Sequence, residues 1–342
     1  MERKCYDPEV YEFYKAAIEG PGFDAPFDVR DIAKLRENEI TGHAAHLDPY
    51  EVYEKHDIIA EREGADPLKL RVYVPDDARG AGAKLPVLLY FHGGGFIMGS
   101  IEDHDPLCGK LADECGAVVI APEYRLAPED PFPACIEDAV FTAEWAASHA
   151  REYGGDPARI MAGGDSSGAN ISAVLALLGR EGKAPEISGL ILFYGIFGCI
   201  PLESSGSART YGHGECVLPV NAARKMVELY IPDGTDPDDY RISPGKADLK
   251  GMPPAIVVTA ELDPLRDDGE EFARRLEESG NEVQLVRMDG MMHGFVLYWQ
   301  RFSRAGKLLE QIGSAVRKRN NDKCRGCLFE SVSDSRLREE QK

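Results

Sequence analysis

The fold is decided by Phe91-His92-Gly93-Gly94-Gly95-Phe96 together with Gly164-Asp165-Ser166-Ser167-Gly168. Each stretch follows a short apolar run, Pro86–Phe91 in the first case and Arg159–Gly163 in the second, and such runs predict buried strands. The second stretch leads into Gly168–Leu178, an almost wholly apolar run that predicts a helix. Because strands and helices alternate in this way along the chain, we predict an α/β fold with one mostly parallel, doubly wound sheet.

Ser166 falls at the corner between that predicted strand and helix. A serine on such a sharp turn has a strained backbone and an exposed hydroxyl, and glycines on either side leave room for the turn. The first N–H groups of the helix have no internal partner, so negative charge beside the serine is stabilised. The pentapeptide alone also fits a Gly/Ser turn that merely closes a strand. Its context must decide whether Ser166 is a nucleophile.

The glycines after His92 form a loop whose N–H groups are accessible. Without Cβ atoms in the way, the amides of Gly94 and Gly95 can approach a ligand atom closely. A flexible loop and a phosphate cradle are the alternatives, but a phosphate cradle normally has Lys-Ser/Thr after its glycines or a Gly-x-Gly-x-x-Gly spacing. Phe96-Ile97-Met98 follows here instead. We therefore interpret the loop as an oxyanion hole, in which amides stabilise negative charge on an oxygen.

A serine needs a neighbouring base to become a good nucleophile, and the chain contains eight histidines. His293 follows the predicted strand Glu282–Met288 and precedes a glycine, which lets its loop lean toward the serine. His92 is better placed to anchor the glycine loop by a hydrogen bond. His104 and His213 lie in predicted loops that no strand positions. We predict His293 as the base.

The acid that orients this base is predicted to be Asp263. It follows the predicted strand Pro254–Ala260, and the proline after it biases it away from helical structure. Glu261 is the only serious rival, since Asp267 and Asp268 suit the first turn of the next predicted helix. The chain order Ser, Asp, His is the order that the α/β-hydrolase architecture uses.

Five motifs in this order resemble the hormone-sensitive-lipase family of α/β hydrolases, a group of bacterial short-chain esterases and acetyl hydrolases. The resemblance covers about residues 65–315. The motifs are Phe91–Phe96, Tyr124-Arg125-Leu126-Ala127-Pro128-Glu129, Gly164–Gly168, Asp263-Pro264-Leu265-Arg266-Asp267 and Met292-His293-Gly294-Phe295.

The resemblance also assigns roles to residues. It implies that Ser166 is the nucleophile, with Asp263 as the acid and His293 as the base. It implies that the oxyanion-hole amides belong to Gly94, Gly95 and Ser167. Many relatives have Ala at the position of Ser167, but the backbone N–H survives that exchange. No metal or organic cofactor is required for this chemistry.

The implied activity is that of a serine carboxylesterase, which cleaves short-chain esters, acetyl esters included, through an acyl-enzyme. Amide hydrolysis or deacetylation would use the same residues. A third alternative is a non-catalytic receptor for a small ligand, as in the plant gibberellin receptors of the wider family. Those receptors lack the base, whereas His293 is present here.

The composition limits the partners. A formal net charge of −20 disfavours nucleic acids and anionic membranes and favours neutral or cationic small-molecule esters. Residues 1–7 lack the apolar core of a signal peptide, and the longest apolar run, Gly189–Ile200, is too short to span a bilayer. We therefore expect a cytoplasmic protein without membrane insertion, and we leave open whether it forms a homodimer.

The domain organisation follows from the pattern of helices and polar segments. Residues 8–19 carry one apolar face of an amphipathic helix, which could simply pack on the flank of the sheet. The resemblance instead makes residues 1–50 part of a helical cap. Residues 51–319 form the predicted catalytic domain, in which an insertion at about 198–247 with one clear helix, Asn221–Tyr230, completes the cap. Residues 320–342 are polar enough to predict a disordered tail, with a helix that docks on a partner as the alternative.

The eight cysteines show no regular framework, so we interpret them as reduced thiols, mostly in the core. Cys324-Arg325-Gly326-Cys327 is the exception in spacing. It supplies only two ligands, with no second pair or histidine nearby, so a metal site is not predicted there.

Overall fold

One eight-stranded sheet forms the centre of the computed structural model, which describes residues 6–19, 32–37, 47–79, 82, 84–213 and 217–321. The strands are β1 (Glu54–Arg62), β2 (Ala65–Val74), β3 (Leu85–Phe91), β4 (Val118–Pro122), β5 (Gly155–Asp165), β6 (Leu190–Phe193), β7 (Ala255–Leu262) and β8 (Val283–Met292). Their order across the sheet is β1-β2-β4-β3-β5-β6-β7-β8. β2 is antiparallel to both of its neighbours, and the strands from β4 to β8 are parallel. The predicted mostly parallel sheet is confirmed.

Helices cover both faces of this sheet. The helices are α1 (Pro8–Glu19), α2 (32–37), α3 (Ile101–Cys115), α4 (Ala134–His149), α5 (Ser167–Arg180), α6 (Gly206–Tyr211), α7 (Val220–Tyr230), α8 (Arg266–Glu278) and α9 (Ser303–Asn321). Side chains of α4, α5 and α8 belong to the core on one face, and side chains of α1, α3 and α9 belong to the core on the other. The sheet is therefore doubly wound.

The position of β3, between two cores, explains why its sequence is apolar throughout. Val87 and Leu89 lie in one core, whereas Leu88 and Tyr90 lie in the other, and all four are buried. Alternate residues of a strand point to opposite faces, so a strand covered on both sides needs apolar residues at every position.

The candidate site residues follow four parallel strands. The glycine loop comes after β3, Ser166 after β5, Asp263 after β7 and His293 after β8. Because the carboxyl ends of these strands meet at one edge of the sheet, the four loops lie together.

A long insertion separates β6 from β7. Its helix α7 begins one residue before the predicted Asn221–Tyr230 helix. The prediction of one clear helix was incomplete, because α6 is also present. That six-residue helix has few apolar residues and depends on a cap, in which the Ser205 hydroxyl accepts the Ala208 N–H at 2.9 Å. Residues 214–216 lie outside the described residues.

Two buried polar side chains hold the ends of this insertion. The amide nitrogen of Asn170 on α5 donates to the carbonyl oxygens of Ile196 and Ile242, at 2.7 and 2.8 Å. The carboxylate of Asp268 on α8 accepts backbone N–H groups of the first insertion residues, at positions 197, 198 and 200. The insertion is therefore fastened to the catalytic domain at its base.

Some predicted boundaries change. β5 extends beyond the predicted Arg159–Gly163, and β8 extends beyond Met288 to Met292, so that His293 follows the strand directly. Residues 320 and 321 of the predicted tail still belong to α9. The rest of that tail, with Cys324 and Cys327, lies outside the described residues. The described cysteines are buried free thiols, as predicted: Cys108, Cys115, Cys135 and Cys199.

Candidate active site

Ser166 occupies the sharp turn between β5 and α5. Its backbone has φ 54° and ψ −117°, a conformation that residues other than glycine rarely adopt. Its N–H donates to the Phe193 carbonyl oxygen at 2.8 Å. α5 packs so closely behind the turn that a Cβ atom on Gly168 would overlap the Phe91 carbonyl oxygen. The glycine is therefore explained by the close approach of two backbones.

A chain of hydrogen bonds joins Ser166 to His293 and Asp263. Ser166 Oγ lies 3.0 Å from His293 Nε2, and His293 Nδ1 lies 2.8 Å from Asp263 Oδ2. Asp263 is fully buried, and its Oδ1 accepts the Leu265 N–H at 2.8 Å. When Nδ1 carries the proton that the carboxylate accepts, Nε2 presents its lone pair to the serine hydroxyl. In that arrangement the imidazole can take the hydroxyl proton.

The glycine loop lines the same cavity as the serine. Gly94 and Gly95 have φ values of 119° and 61°. The Gly94 carbonyl accepts the N–H groups of Ile97 and Met98, at 3.2 and 3.1 Å, which closes a tight turn. Ser167 is the first residue of α5, and its side chain is fully buried. Its backbone N–H, which needs no intrahelical partner, is the group that it can contribute.

His92 anchors the glycine loop, as its position predicted. Its Nδ1 lies 2.7 Å from the Gly93 carbonyl oxygen, and its ring stacks on Tyr124 with centroids 4.1 Å apart. The Tyr124 hydroxyl donates to the His92 carbonyl oxygen at 2.8 Å. Burial, reinforced by the neighbouring His104, lowers the pKa of His92 to about 3. The ring is therefore neutral at physiological pH.

The other histidines considered do not reach Ser166 Oγ. The prediction that His104 lies in a loop was wrong, because it is buried on α3. His213 follows α6, where its Nε2 lies 2.9 Å from the Arg209 carbonyl oxygen on the surface. Neither histidine takes part in the hydrogen-bond chain of His293.

The rival acids also have other partners. The Glu261 carboxylate accepts the Gly290 N–H at 2.7 Å. Asp267 and Asp268 lie in the first turn of α8, as predicted, and both accept backbone N–H groups of the insertion. Burial is the main reason why the pKa of Asp268 is raised. Asp263 is the carboxylate that faces the imidazole.

A small cavity of about 190 Å³ opens at Ser166. Its walls come from α1, from α7 with the segment before it, and from the residues that follow His293. The side chains concerned are Tyr14, Val217, Leu218, Pro219, Ala222, Met226, Leu297 and Tyr298. The N-terminal helix and the insertion therefore both border the cavity. The domain boundaries at residues 50 and 319 stay a prediction.

Sequence reasoning missed several residues around this cavity. A helix was predicted at α7, but that prediction could not tell that Met226 borders the cavity at Ser166. Asp165 stands inside a motif that was singled out, and its buried carboxylate meets Tyr90, Gly93 and His104. The signal was a charged residue directly before the proposed nucleophile, at the end of a buried strand.

Within the described ranges, no group of three or more His, Cys, Asp or Glu side chains is arranged to hold a metal ion. No helix in the same ranges is long and apolar enough to cross a bilayer.

A family model for the alpha/beta hydrolase fold matches residues 88–297, which contain all three members of the hydrogen-bond chain and the glycine loop. The chain belongs to the α/β-hydrolase family. Its similarity to carboxylesterases and acetyl hydrolases makes it a member of the hormone-sensitive-lipase-like group of carboxylic ester hydrolases, and the resemblance predicted from the motifs is confirmed.

Several ester hydrolases are similar to this α/β hydrolase over more than two thirds of its length. Carboxylesterase NlhH of Mycobacterium tuberculosis is 38% identical over 239 residues, which are 68% of this chain and 73% of that protein. The ethyl acetate hydrolase of Pseudomonas putida is 35% identical over 250 residues, which are 71% and 74% of the two chains. The structure of a hyperthermophilic esterase from the archaeon Pyrobaculum calidifontis superposes with a TM-score of 0.83 at 32% identity, and it covers 93% of this chain and 99% of its own.

Proposed function

We propose that this protein hydrolyses short-chain carboxylic esters, acetyl esters included, through an acyl-enzyme on Ser166. The observation that carries the proposal is the hydrogen-bond chain from Asp263 through His293 to Ser166 Oγ, which ends in a cavity bordered by Gly94 and Gly95. A nucleophile, a base, an orienting acid and accessible amides are the groups that acyl transfer requires.

The proposed reaction has two halves. Ser166 Oγ attacks the ester carbonyl carbon while His293 Nε2 takes its proton, and the imidazolium then returns that proton to the leaving alcohol. Water, deprotonated by the same imidazole, hydrolyses the acyl-enzyme. Asp263 holds the tautomer and stabilises the imidazolium without becoming protonated itself. The amides of Gly94, Gly95 and Ser167 receive the negative oxygen of each tetrahedral intermediate.

The size of the cavity supports a small acyl group. Drug-sized ligands occupy pockets of about 300–1,000 Å³, whereas the space at the serine measures about 190 Å³. The net charge of −20 favours neutral or cationic esters over anionic ones.

A Ser166→Ala variant tests the nucleophile. We expect turnover of p-nitrophenyl acetate to vanish and covalent labelling by an organophosphonate to disappear, because the attacking oxygen is gone. The melting temperature should stay within a few degrees, since Ser166 borders the cavity and the change removes only a hydroxyl that bonds to His293. Ser148→Ala is the matched control, because that serine is exposed on α4, where it bonds only to the Glu144 carbonyl oxygen.

The same assay separates the alternatives. A folded wild-type protein that neither labels nor turns over any ester would overturn the proposal and favour the receptor function. Turnover of acetanilides in preference to acetyl esters would point to the amide or deacetylase activity instead. The 3.0 Å approach of His293 to the serine favours a catalytic site over a receptor. Cytoplasmic location and a homodimer remain predictions from the sequence.

A further inference from the structure

A buried polar cluster behind the glycine loop has no part in the reaction just described. Asp165 Oδ1 lies within hydrogen-bond distance of three groups: the Tyr90 hydroxyl at 3.0 Å, the Gly93 N–H at 3.1 Å and His104 Nε2 at 3.1 Å. These groups belong to β3, the glycine loop and α3. One carboxylate oxygen, on the residue before the nucleophile, therefore joins three elements that surround the site.

His104 faces an acceptor at each ring nitrogen. Its Nδ1 lies 3.2 Å from the carbonyl oxygen of Ser100, the N-cap of α3, and its Nε2 faces Asp165 Oδ1. The Gly93 N–H is directed at both Asp165 Oδ1, at 3.1 Å, and His104 Nε2, at 3.3 Å, and the carboxylate oxygen is the nearer acceptor. A neutral imidazole carries one N–H, so it would direct a lone pair at one of the two oxygens. An imidazolium donates to both.

Other buried titratable groups around this pair are neutral: His92, Tyr90, Cys108, Tyr124 and Tyr194, of which the two last also have a pKa raised by burial. Burial, and then the proximity of His104, lowers the pKa of His92 to about 3. Burial, followed by nearby negative charge, raises the pKa of Tyr90 and of Cys108 well above the usual values. Burial would raise the pKa of Asp165 too, but His104 and the hydrogen bonds of the cluster outweigh it and lower that pKa.

The two carboxylates that flank His104 on α3 have other partners. Asp103 accepts the Ser100 hydroxyl at 2.7 Å, and Asp105 pairs with Arg71 at 3.0 Å. Asp165 faces His104, and both side chains are almost fully buried, where an unpaired charge would be costly.

We propose that His104 is a positioning residue, held as an imidazolium that pairs with Asp165 and fixes both ends of the glycine loop. The beginning of the loop, Gly93, is held through Asp165, and its end, Ser100, is held directly by Nδ1–H. The backbone N–H groups of Gly94 and Gly95 are thereby fixed in position for binding the oxyanion before the substrate binds. This inference rests on the proposed esterase activity.

The test is the His104→Gln variant, which removes the positive charge and one of the two N–H donor positions of the imidazolium. Oxyanion contacts act in the transition state, so their loss lowers kcat more than it raises KM. We expect kcat for p-nitrophenyl acetate to fall about tenfold or more, while KM changes less than about threefold, because loss of one oxyanion donor costs about 10²–10³. Affinity for a trifluoromethyl ketone, whose serine adduct carries the oxyanion, should fall in parallel with kcat.

Two further variants complete the test. His56→Gln is the matched control, because His56 pairs with Glu54 on β1 at the far edge of the sheet, and it should leave both parameters unchanged. Asp165→Asn should reproduce the His104→Gln loss, and the double variant should lose little more, since the two side chains act as one unit.

The protonation state is measured separately in the wild-type protein. With ¹⁵N-labelled histidine, His104 should show two ring N–H signals at pH 8, where exposed histidines are neutral. A single ring N–H there, or an unchanged kcat and ketone affinity in folded His104→Gln, would overturn the inference. If that variant does not fold, the wild-type spectrum still decides. If the wild type lacks ester turnover while both signals are present, the proposed function fails and the ion pair stands.

Discussion

Asp263 constrains His293 through both of its carboxylate oxygens. Oδ2 faces the imidazole, while Oδ1 is held by the Leu265 N–H. The carboxylate therefore cannot rotate away, and its full burial keeps water from competing for it. The proton on Nδ1 is fixed by this geometry, and with it the lone pair on Nε2.

An Asp263→Asn variant should reverse that tautomer. Its amide oxygen would keep the Leu265 N–H, so its NH₂ group would face Nδ1 and make that nitrogen an acceptor. The imidazole proton would then sit on Nε2, directed at Ser166, and the base would be lost. We expect kcat for p-nitrophenyl acetate to fall about 10⁴-fold. Asp156→Asn, at the opposite end of β5, is the control, and an Asp263→Asn enzyme with near-normal kcat would contradict the assignment.

His92 should make stability fall in acid. Its pKa is about 3 in the folded protein and about 6.5 in the unfolded chain. Between these values the unfolded chain binds the additional proton, so this contribution to stability is complete above pH 6.5 and is lost as the pH falls toward 3. Urea unfolding from pH 7 to pH 5 should show a slope of up to about 1.4 kcal/mol per pH unit from this group. The slope should be smaller in His92→Gln, and equal slopes would refute the explanation.

Ser166, Asp263 and His293 could be predicted because each directly follows an apolar strand, and parallel strands bring such positions together. The contact between Asp165 and His104 could not be predicted in this way. It joins the end of a strand to the inner face of α3, and nothing in the local pattern of α3 distinguishes a histidine that faces a carboxylate from one that faces solvent.

At the scale of elements, α7 is a wall between two cavities. Ala222 and Met226, four residues apart on one helix face, border the small cavity at the serine. Val227 and Tyr230 of the same helix border a larger cavity of about 1010 Å³. Tyr230 also stacks on Phe96 of the glycine loop, with ring centroids 3.9 Å apart. If Ser166 is the nucleophile, as proposed, this helix would limit how far an acyl chain can extend from it.

Met226→Ala should relax that limit. Met226 is buried, and its Sδ lies so close to Gly95 that a Cβ atom there would overlap it. Removing the thioether should shift kcat/KM in a p-nitrophenyl ester series from acetyl toward longer acyl groups, with a lower melting temperature from the lost packing. Val227→Ala, the next residue of the same helix, is the control, because it borders the larger cavity instead. An unchanged acyl preference in folded Met226→Ala would show that α7 does not set the pocket depth.

The strands that precede the candidate site residues were predicted from their apolar runs, but the insertion was predicted only in part. α7 was predicted as its one clear helix, whereas α6 depends on a single serine cap in a polar segment. The side that α7 turns to the serine depends on tertiary contacts with Gly95, which the sequence of either segment does not report.

At the scale of the whole molecule, the residue before α1 is joined to the beginning of α9 by a buried ion pair. Arg304 on α9 donates to the Asp7 carboxylate at 2.7 Å, and both side chains are buried. Phe13 on α1 packs edge-on against Phe302, with centroids 5.4 Å apart. The next residue, Tyr14, borders the cavity at the serine. One wall of that cavity is therefore held in place through the C-terminal helix.

Asp7→Ala should loosen this wall. It would remove the Asp7 carboxylate from the buried Arg304 guanidinium, and breaking a buried ion pair costs about 3–5 kcal/mol of unfolding free energy. We expect that loss in urea unfolding, together with a raised KM for p-nitrophenyl acetate. Glu12→Ala, an exposed position on α1, is the control. A change in unfolding free energy below about 1 kcal/mol would mean that α1 docks without the ion pair.

The fold class of the whole molecule was predictable because the alternation of strands and helices along the sequence indicates an α/β fold. The larger cavity and the link between Asp7 and Arg304 were not, because both depend on how segments far apart in sequence pack around the finished sheet. Local sequence patterns specify helices and strands. The cavities and contacts between them are determined by side chains that come together only on folding.

The insertion after β6 is closed at its base. Asn170 bonds to residues at both of its ends, and the Gly245 N–H donates to the Phe197 carbonyl oxygen at 2.8 Å. These bonds do not depend on what lies between the junctions. A foreign segment grafted between Phe197 and Ser243 would inherit the same two attachment points. Acyl preference could therefore be transplanted from one hydrolase to another while the loops that carry Ser166, Asp263 and His293 keep their positions.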